Sequence, residues 1–391
     1  MKTPETSRNF TRRRDPASGA ESLILTGRVA ACQQSFYFVN DGFSADGRYL
    51  WFYCANPPSK AYCLGLLDFE SDRMHFFPET QFLDASPAVK PETGEVWFFS
   101  RTELWKLAPH PEARPEYVNR LPDEIVRGRN PVRVATHITF SPRGDAICID
   151  AGFGRECFLG EMPLDGGPCN IWERIPFYAN HAQFSPVDPD VILFCQDGCS
   201  DIVTGESIPY TQRIWTIRRN GKAAAFFPGE ETPMHGHEWW SADGRYIWFV
   251  HYGHGTFKAD LNTHELIRVR PTPLPISHSH ADRTDTLLAT DICCEEWDHM
   301  SVLFTDLTNG KEVFLVNAMP KIPYIKRNYH CHPHPHFSVS DRYITYTTTL
   351  NEQVNVAVAP VAPLLALWIS AESLAKFAQI VVLDHCAVDA V

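Results

Sequence analysis

Three observations predict an all-β chain. Aromatic and β-branched residues gather in short runs, as in Tyr49-Leu50-Trp51-Phe52 and Tyr246-Ile247-Trp248-Phe249, which suit a pleated, packed surface. One pattern returns seven times: a polar residue or histidine, an aromatic, Ser-x-Asp-Gly or a near variant, then another apolar run. Long helical patterns are absent until about residue 364. Seven units of roughly fifty residues, each of four short strands, describe a seven-bladed β-propeller. A pair of β-sandwiches is the rival arrangement, but it does not explain seven copies.

Residues 1–14 are expected to be a mobile N-terminus holding the one basic block, Arg12-Arg13-Arg14. The propeller is expected over 15–360. A strand from Glu21 to Thr26 precedes the first copy. It is expected to join the last blade and close the ring, which removes open sheet edges. The first copy runs from Asp41 to Phe52, and a degraded second from Pro87 to Phe98. The third, fourth and fifth begin at His137, His181 and His237, a weaker sixth at His278, and the seventh at His334. Ser-x-Asp-Gly supplies a tight turn, with glycine where φ is positive. Several copies are followed by a second strand, as from Arg213 to Ile217, Gly255 to Ala259 and Val354 to Val358. Residues 361–391 form a short C-terminal tail. Its apolar stretch, Leu364 to Leu383, contains Glu372 and Lys376 and is too polar for a membrane span. An amphipathic helix on the body of the protein is expected there.

The 391 residues are 44% hydrophobic and 12% aromatic, enough for a large core. A net charge of −12 supplies no general basic field, so a nucleic-acid partner is not expected. Twelve cysteines without paired C-x-x-C spacing read as reduced thiols of a cytosolic protein. The adjacent Cys293 and Cys294 read as core or edge residues. The charged N-terminus lacks an apolar segment of the secretory kind, so a cytoplasmic location is expected.

The stretch from Asn328 to His336 carries four histidines, at 330, 332, 334 and 336, with Pro333 and Pro335 between them. An extended backbone points residues i and i+2 to the same side, so the four imidazoles share one face. Proline cannot donate a ladder hydrogen bond, which makes this a stiff lead-in to a strand and not a central strand. A stiff backbone presenting several neutral imidazoles suits a divalent metal. A solvated His/Pro tract is the compositional alternative. The repeat adds weight to the metal, because His137, His181, His237, His278 and His334 occupy equivalent or nearby places in successive copies. A ring of blades would bring them together around one axis.

These residues carry a resemblance. From about Asp15 to Pro360 the chain resembles the oligogalacturonate lyases, seven-bladed propeller enzymes that degrade short pectin fragments. The stretches that carry it run from Asp15 to Thr26, Ser35 to Gly47, Phe194 to Gly198, Gln212 to Trp215 and His237 to Trp240, with Ser277-His278 and His332-Pro333-His334-Pro335. The resemblance implies a divalent metal, Mn²⁺ by preference, held at the channel mouth by three histidines and a glutamine. By position His278, His332 and His334 match the histidines. The glutamine position falls on Tyr329, leaving Tyr329, His330 or water as the fourth ligand. The family's catalytic arginine and histidine match Arg213 and His237. Gln196 stands where the family usually has a histidine. His181 and Gln196, on a neighbouring blade, are candidate substrate contacts.

The implied reaction is β-elimination on a short oligogalacturonate or a related oligouronate, giving an unsaturated uronate. The C5 proton is weakly acidic, because it lies beside a carboxylate that is already negative. A divalent metal on that carboxylate would stabilise the enediolate as it forms. Nitrogen ligation alone would equally admit Zn, Fe or Ni, so Mn²⁺ comes from the resemblance. His237 suits the base, since an imidazole titrates near neutral pH. Arg213, protonated at any relevant pH, is assigned to carboxylate binding. The expected partner is a small acidic oligosaccharide, with no nucleic acid and no membrane. A non-catalytic propeller that binds a protein through its rim, or a metal-dependent hydrolase or isomerase of an acidic sugar, are the alternatives. His235, His251, His254 and His264 read as surface or turn residues. His280 and His336 read as residues that orient the ligands or pack in the core, and Trp239-Trp240 as blade core.

Overall fold

Apolar runs this continuous form strands buried on both faces, because neighbouring side chains on a strand point to opposite sides. In Tyr49–Ala55, Leu50 and Phe52 pack with Val356 and Val358 of the last blade, while Trp51 packs the other way, with Val96 and Phe98. The computed structural model describes residues 1–82, 86–201, 203–232, 234–293, 299–322 and 329–367. They form a seven-bladed β-propeller with one antiparallel sheet per blade in chain order and a further two-stranded sheet, Cys199–Ser200 with Ser207–Ile208, within the fourth blade's span. The blades span 32–82, 88–120, 146–175, 179–225, 235–271, 276–320 and 336–360. Five have four strands. The third has three, with its inner edge continued by bridges between Arg133 and Gly152 and between Phe140 and Ile147. Hydrophobic clusters fill each gap between neighbouring blades, so the core is a ring of seven seams.

The ring closes as expected. Glu21–Leu25 joins the last blade, with Leu23 opposite Val358 and Ile24 opposite Ala357. Residues 10–14, expected in a mobile terminus, form one more strand outside it. Phe10–Arg14 pairs along Glu21–Leu25, and Phe10 stacks on Phe69 at 6.2 Å. An apolar anchor and a free strand edge together outweigh the charge of Arg12–Arg14, whose side chains stay exposed. Two short helices, Asp123–Val126 and Val361–Leu364, are the helical elements besides one 3₁₀ turn among the described residues. The helix expected further along the tail, and Cys294, lie outside the described residues. Cys32, Cys54, Cys63, Cys148, Cys157, Cys169, Cys195, Cys199 and Cys331 are free thiols. Among the described residues no helix is long and apolar enough to cross a membrane.

The recurring turns have the expected form. Ser44 Oγ donates to Asp46 Oδ1 at 2.7 Å, the Arg48 N–H donates to the same oxygen at 2.9 Å, and Gly47 has φ of 71°. The fifth copy repeats it at Ser241, Asp243 and Arg245, with Gly244 at 67°. Asp285 and Asp341 take the left-handed position in the sixth and seventh copies. Each turn follows an innermost strand, so the turns mark the channel end away from the histidines that open those strands.

Candidate metal centre

The innermost strands are irregular where their histidines lie. The ladder register shifts between Asn180 and Gln183, between Gly236 and Trp239, and between Ile276 and Ser279. Such bulges re-aim a side chain. They place His181, His237 and His278 toward the axis, with His181 and His237 in the left-handed region at φ of 57° and 52°. His334, just ahead of the strand His336–Phe337, is left-handed too, at 47°. A non-glycine residue there costs about 1–3 kcal/mol and persists only where its surroundings over-determine it. Tyr37 supplies much of that surrounding. Its ring lies 4.7 Å from His334, 4.8 Å from His137, 5.7 Å from His278 and 5.8 Å from His181.

His278, His330, His332 and His334 bring one ring nitrogen each within 4.8 Å of one another. Asp291, fully buried on the adjacent strand Leu287–Cys293, organises them. Its carboxylate pairs with His278 Nδ1 at 2.9 Å and accepts the backbone N–H groups of His278 at 2.7 Å and His334 at 3.2 Å. One carboxylate thereby ties the ligand on a strand to the ligands on the His/Pro segment. With Nδ1 occupied, His278 turns Nε2 to the group, and the buried Nε2 atoms of His278 and His334 have no protein partner. Burial first, and then the neighbouring rings, hold both imidazoles well below their usual pKa. They are neutral at pH 7 and offer lone pairs. These two buried, unpartnered, neutral nitrogens, with the half-buried His332 and the exposed His330 beside them, fit a divalent cation.

Tyr329 is placed otherwise. Its hydroxyl donates to the Ser59 carbonyl, and its ring packs among Cys32, Ala55, Cys331 and Val354. Alternate residues of an extended segment face opposite ways, so Tyr329 and Cys331 point into the body while the even-numbered histidines point to the channel. The fourth nitrogen of the group is therefore that of His330. His336 departs from the series. Its Nδ1 lies 3.0 Å from the His334 carbonyl and its Nε2 3.9 Å from Asp41. His280 Nδ1 accepts the Phe337 N–H at 3.2 Å. The rings of His280 and His336 lie 6.5 Å apart.

His237 and Arg213 lie beside it. The His237 ring is 3.9 Å from that of His278, and its Nδ1 is 2.8 Å from the Tyr252 hydroxyl. A Cβ on Gly236 would come within 2.2 Å of that hydroxyl, so glycine is what lets Tyr252 reach His237. Burial, then His278, His181 and Arg213, depress the His237 pKa, while Glu238 opposes them. Arg213 is 6% exposed and held by two acids. Its Nε donates to Glu238 at 2.7 Å and its Nη1 to Asp197 at 2.9 Å. Against burial, which raises it, Arg213 and His181 keep the Glu238 carboxyl well below the usual range. Gln196 pairs with Arg213 through the backbone, its N–H donating at 2.9 Å. His181 lines the cavity beside the group, of about 310 Å³.

Two partners, the buried Asp291 and the half-buried Tyr252, carried no signal in the sequence, and Tyr37 lay inside a quoted stretch without a role. Glu238 lay inside a quoted motif, but its role depends on meeting Arg213 from another blade. His235 corrects an expectation. It is buried, with its ring 4.4 Å from Phe249, because an inner strand and not a turn carries it. Trp239 is blade core as expected, stacked on Trp248 at 5.4 Å. His181, Cys195 and Glu238 also lie close together. There, however, the Cys195 thiol bonds Asn180 at 2.7 Å and burial pushes its pKa far up, so the cluster is packing and not a second centre.

No protein-family model matches the chain. Over 225 residues it is 22% identical to the oligogalacturonate lyase of Dickeya dadantii (strain 3937), covering 52% of this chain and 55% of that one. The match thus spans about half the length of that relative. An oligogalacturonate lyase solved in complex with manganese superposes with a TM-score of 0.70 at 18% identity, over 90% of this chain and 96% of its own. The oligogalacturonate lyase of Vibrio parahaemolyticus does so with 0.70 at 16% identity, over 90% and 97%. The chain resembles these lyases, and the likeness establishes the shared seven-bladed fold.

Proposed function

We propose that the protein is a metal-dependent lyase that cleaves short oligogalacturonates, or a related oligouronate, by β-elimination. One observation carries the reading: four histidine ring nitrogens lie within 4.8 Å of one another, those of His278 and His334 buried and without a protein partner, with the His237 imidazole beside them. The likeness to a manganese-bound lyase supports it. His278, His330, His332 and His334 would hold the cation, and we assign Mn²⁺ by that likeness. When bound, the cation supplies charge withdrawal at the substrate carboxylate, which makes the neighbouring C5 proton more acidic.

His237 is assigned as the base. For Nε2 to accept a proton, Nδ1–H must donate to the Tyr252 oxygen. Burial pushes the Tyr252 pKa far up, so the phenol stays neutral and can accept. The C5 proton passes to His237 Nε2. The C5–H electrons form the C4–C5 double bond, and the C4–O bond breaks with its pair leaving on oxygen, which then takes up a proton. Arg213, with Nε and Nη1 already on carboxylates, is better suited to fixing Glu238 than to clamping a substrate carboxylate. The Glu238 charge in turn favours the imidazolium that His237 becomes.

The test is digalacturonate with Mn²⁺, followed by the ultraviolet absorbance of the unsaturated product. A hydrolase would release reducing sugar without it. His237→Ala is expected to retain metal and lose about 10²–10⁴-fold in kcat. His278→Ala and His334→Ala are expected to lose bound metal by elemental analysis. Full turnover by His237→Ala would refute the base assignment.

A further inference from the structure

The turns that follow the inner strands frame another cavity, of about 480 Å³, at the channel end away from the histidine group. That size suits a small molecule. Three polar atoms of its lining residues are buried and have no protein partner: Asn40 Oδ1, His336 Nε2 and Asp341 Oδ1. Asn40 is 5% exposed and His336 1%. All three atoms are acceptors. The Asn40 amide nitrogen already donates to the Ile138 carbonyl at 2.9 Å. His336 Nδ1–H donates to the His334 carbonyl, which leaves the lone pair on Nε2. Asp341 gives its other oxygen, Oδ2, to Arg283 Nε at 3.0 Å. Among the described residues lining the cavity, no buried side-chain donor lacks a partner. A buried acceptor without a donor is unfavourable, and three of them suit a ligand that donates and does not accept.

The charge of the lining agrees. Asp41, Asp282, Asp285 and Asp341 face the cavity with one basic side chain, Arg283. Lys258 pairs with Asp285 at 2.9 Å, and Arg283 with Asp341 at 3.0 Å. Asp41 and Asp282 are left without a lysine or arginine among the described residues. Asp41 Oδ1 lies 3.9 Å from His336 Nε2. That is too far for a direct hydrogen bond and close enough for one donor group to reach both. Burial pushes the Asp41 carboxyl up to about 7, against the N–H groups of Phe43 and Val339, and the Asp341 charge adds to the rise. A cation beside it would favour the ionised form. Trp240, Phe140 and Phe337 supply aromatic surface, which attracts a desolvated cation. An ammonium group carries three donors, no acceptor and a positive charge. Two such groups match two unpaired carboxylates. We propose that this cavity binds a small aliphatic diamine, with one ammonium group between His336 and Asp41. The site lies apart from the candidate metal centre, and it stands or falls independently of the lyase reading.

Calorimetric titration of butane-1,4-diamine onto the intact chain tests this, beside the same diamine methylated fully on both nitrogens. The methylated compound keeps both charges and has no N–H. Wild type is expected to bind it about ten- to a hundredfold more weakly than the diamine. That comparison needs no variant. Asp41→Asn and Asp341→Asn keep the side-chain shape and remove a charge, and asparagine tolerates the left-handed φ of 54° at 341. Each should weaken diamine binding by about tenfold. Glu112→Gln, at an exposed acid elsewhere, should leave it unchanged. No saturable binding of the diamine to wild type would overturn the proposal. So would equal affinity for the two compounds, which would reduce the attraction to charge alone, or an equal loss in Glu112→Gln. Displacement of the diamine by K⁺, Ca²⁺ or Mn²⁺ at constant ionic strength would mark an inorganic-cation site and overturn it as well.

Discussion

Asp291 does more for the candidate centre than any residue that touches the cation position. It takes His278 Nδ1, fixing the tautomer, and it gathers two backbone N–H groups, that of His278, 13 residues before it, and that of His334, 43 residues after it. Partners of this kind typically carry 10–100-fold in metal affinity. Asp291→Asn, which keeps the shape and removes the charge, is expected to weaken Mn²⁺ binding by about that factor, read by calorimetric titration. An unchanged dissociation constant would reduce Asp291 to a packing residue. Histidines are visible in a sequence because they are rare and chemically distinct. An aspartate within an apolar strand, Leu287–Cys293, is neither, and its partners come from elsewhere in the chain.

At the scale of one element, the strand His235–Trp240 shows how a bulge divides labour among successive residues. Gly236 admits Tyr252, His237 faces the channel, Glu238 meets Arg213, and Trp239 enters the core. A regular strand would send Gly236 and Glu238 to one face and His237 and Trp239 to the other. The register shift between Gly236 and Trp239 breaks that alternation. Gly236→Ala would put a methyl group on the Tyr252 hydroxyl and displace it from His237. A lowering of kcat by about a hundredfold with metal content unchanged is expected, because small misplacements at a reacting group cost that much. Tyr252→Phe should reproduce the loss. If neither variant changed kcat, the orientation of His237 would not depend on this contact. The motif His-Glu-Trp-Trp was legible in the sequence, whereas the bulge that gives it meaning was not.

The whole molecule concentrates neutral imidazoles in one apolar ring, and this sets its response to acid. Burial pushes His235 and His336 down to about 4 and His280 to about 3. His137, His237, His278 and His334 are depressed as well, chiefly by burial. An unfolded imidazole titrates near about 6.5. Between about pH 6.5 and 4 the unfolded chain therefore binds more protons, and stability falls as pH falls, by up to about 1.4 kcal/mol per pH unit for each ring. Asp41 and Asp291, raised by burial to about 7 and about 6, act in the opposite direction. Burial raises Asp150 and Asp285 as well, but these four carboxyls do not offset seven rings. Chelator-treated protein is expected to have a lower Tm at pH 5 than at pH 7.5, by calorimetry. A Tm that held or rose would mean that the rings accept protons in the folded state.

The sequence by itself determined the architecture: strands buried on both faces, turns with glycine or aspartate in the left-handed position, seven copies, and closure through Glu21–Leu25. Those features are local or periodic, so neighbours along the chain suffice to reveal them. It also singled out His278, His332 and His334, which the fold brings together. Only the tertiary structure decided that the His330 ring lies with theirs while the Tyr329 hydroxyl turns to Ser59, that Asp291 bonds both His278 and His334, and that Arg213 is held by Glu238 and Asp197. Each depends on the direction of a side chain around a common axis. Bulges and a ring of seven blades set that direction, and both arise from contacts between segments far apart in the chain.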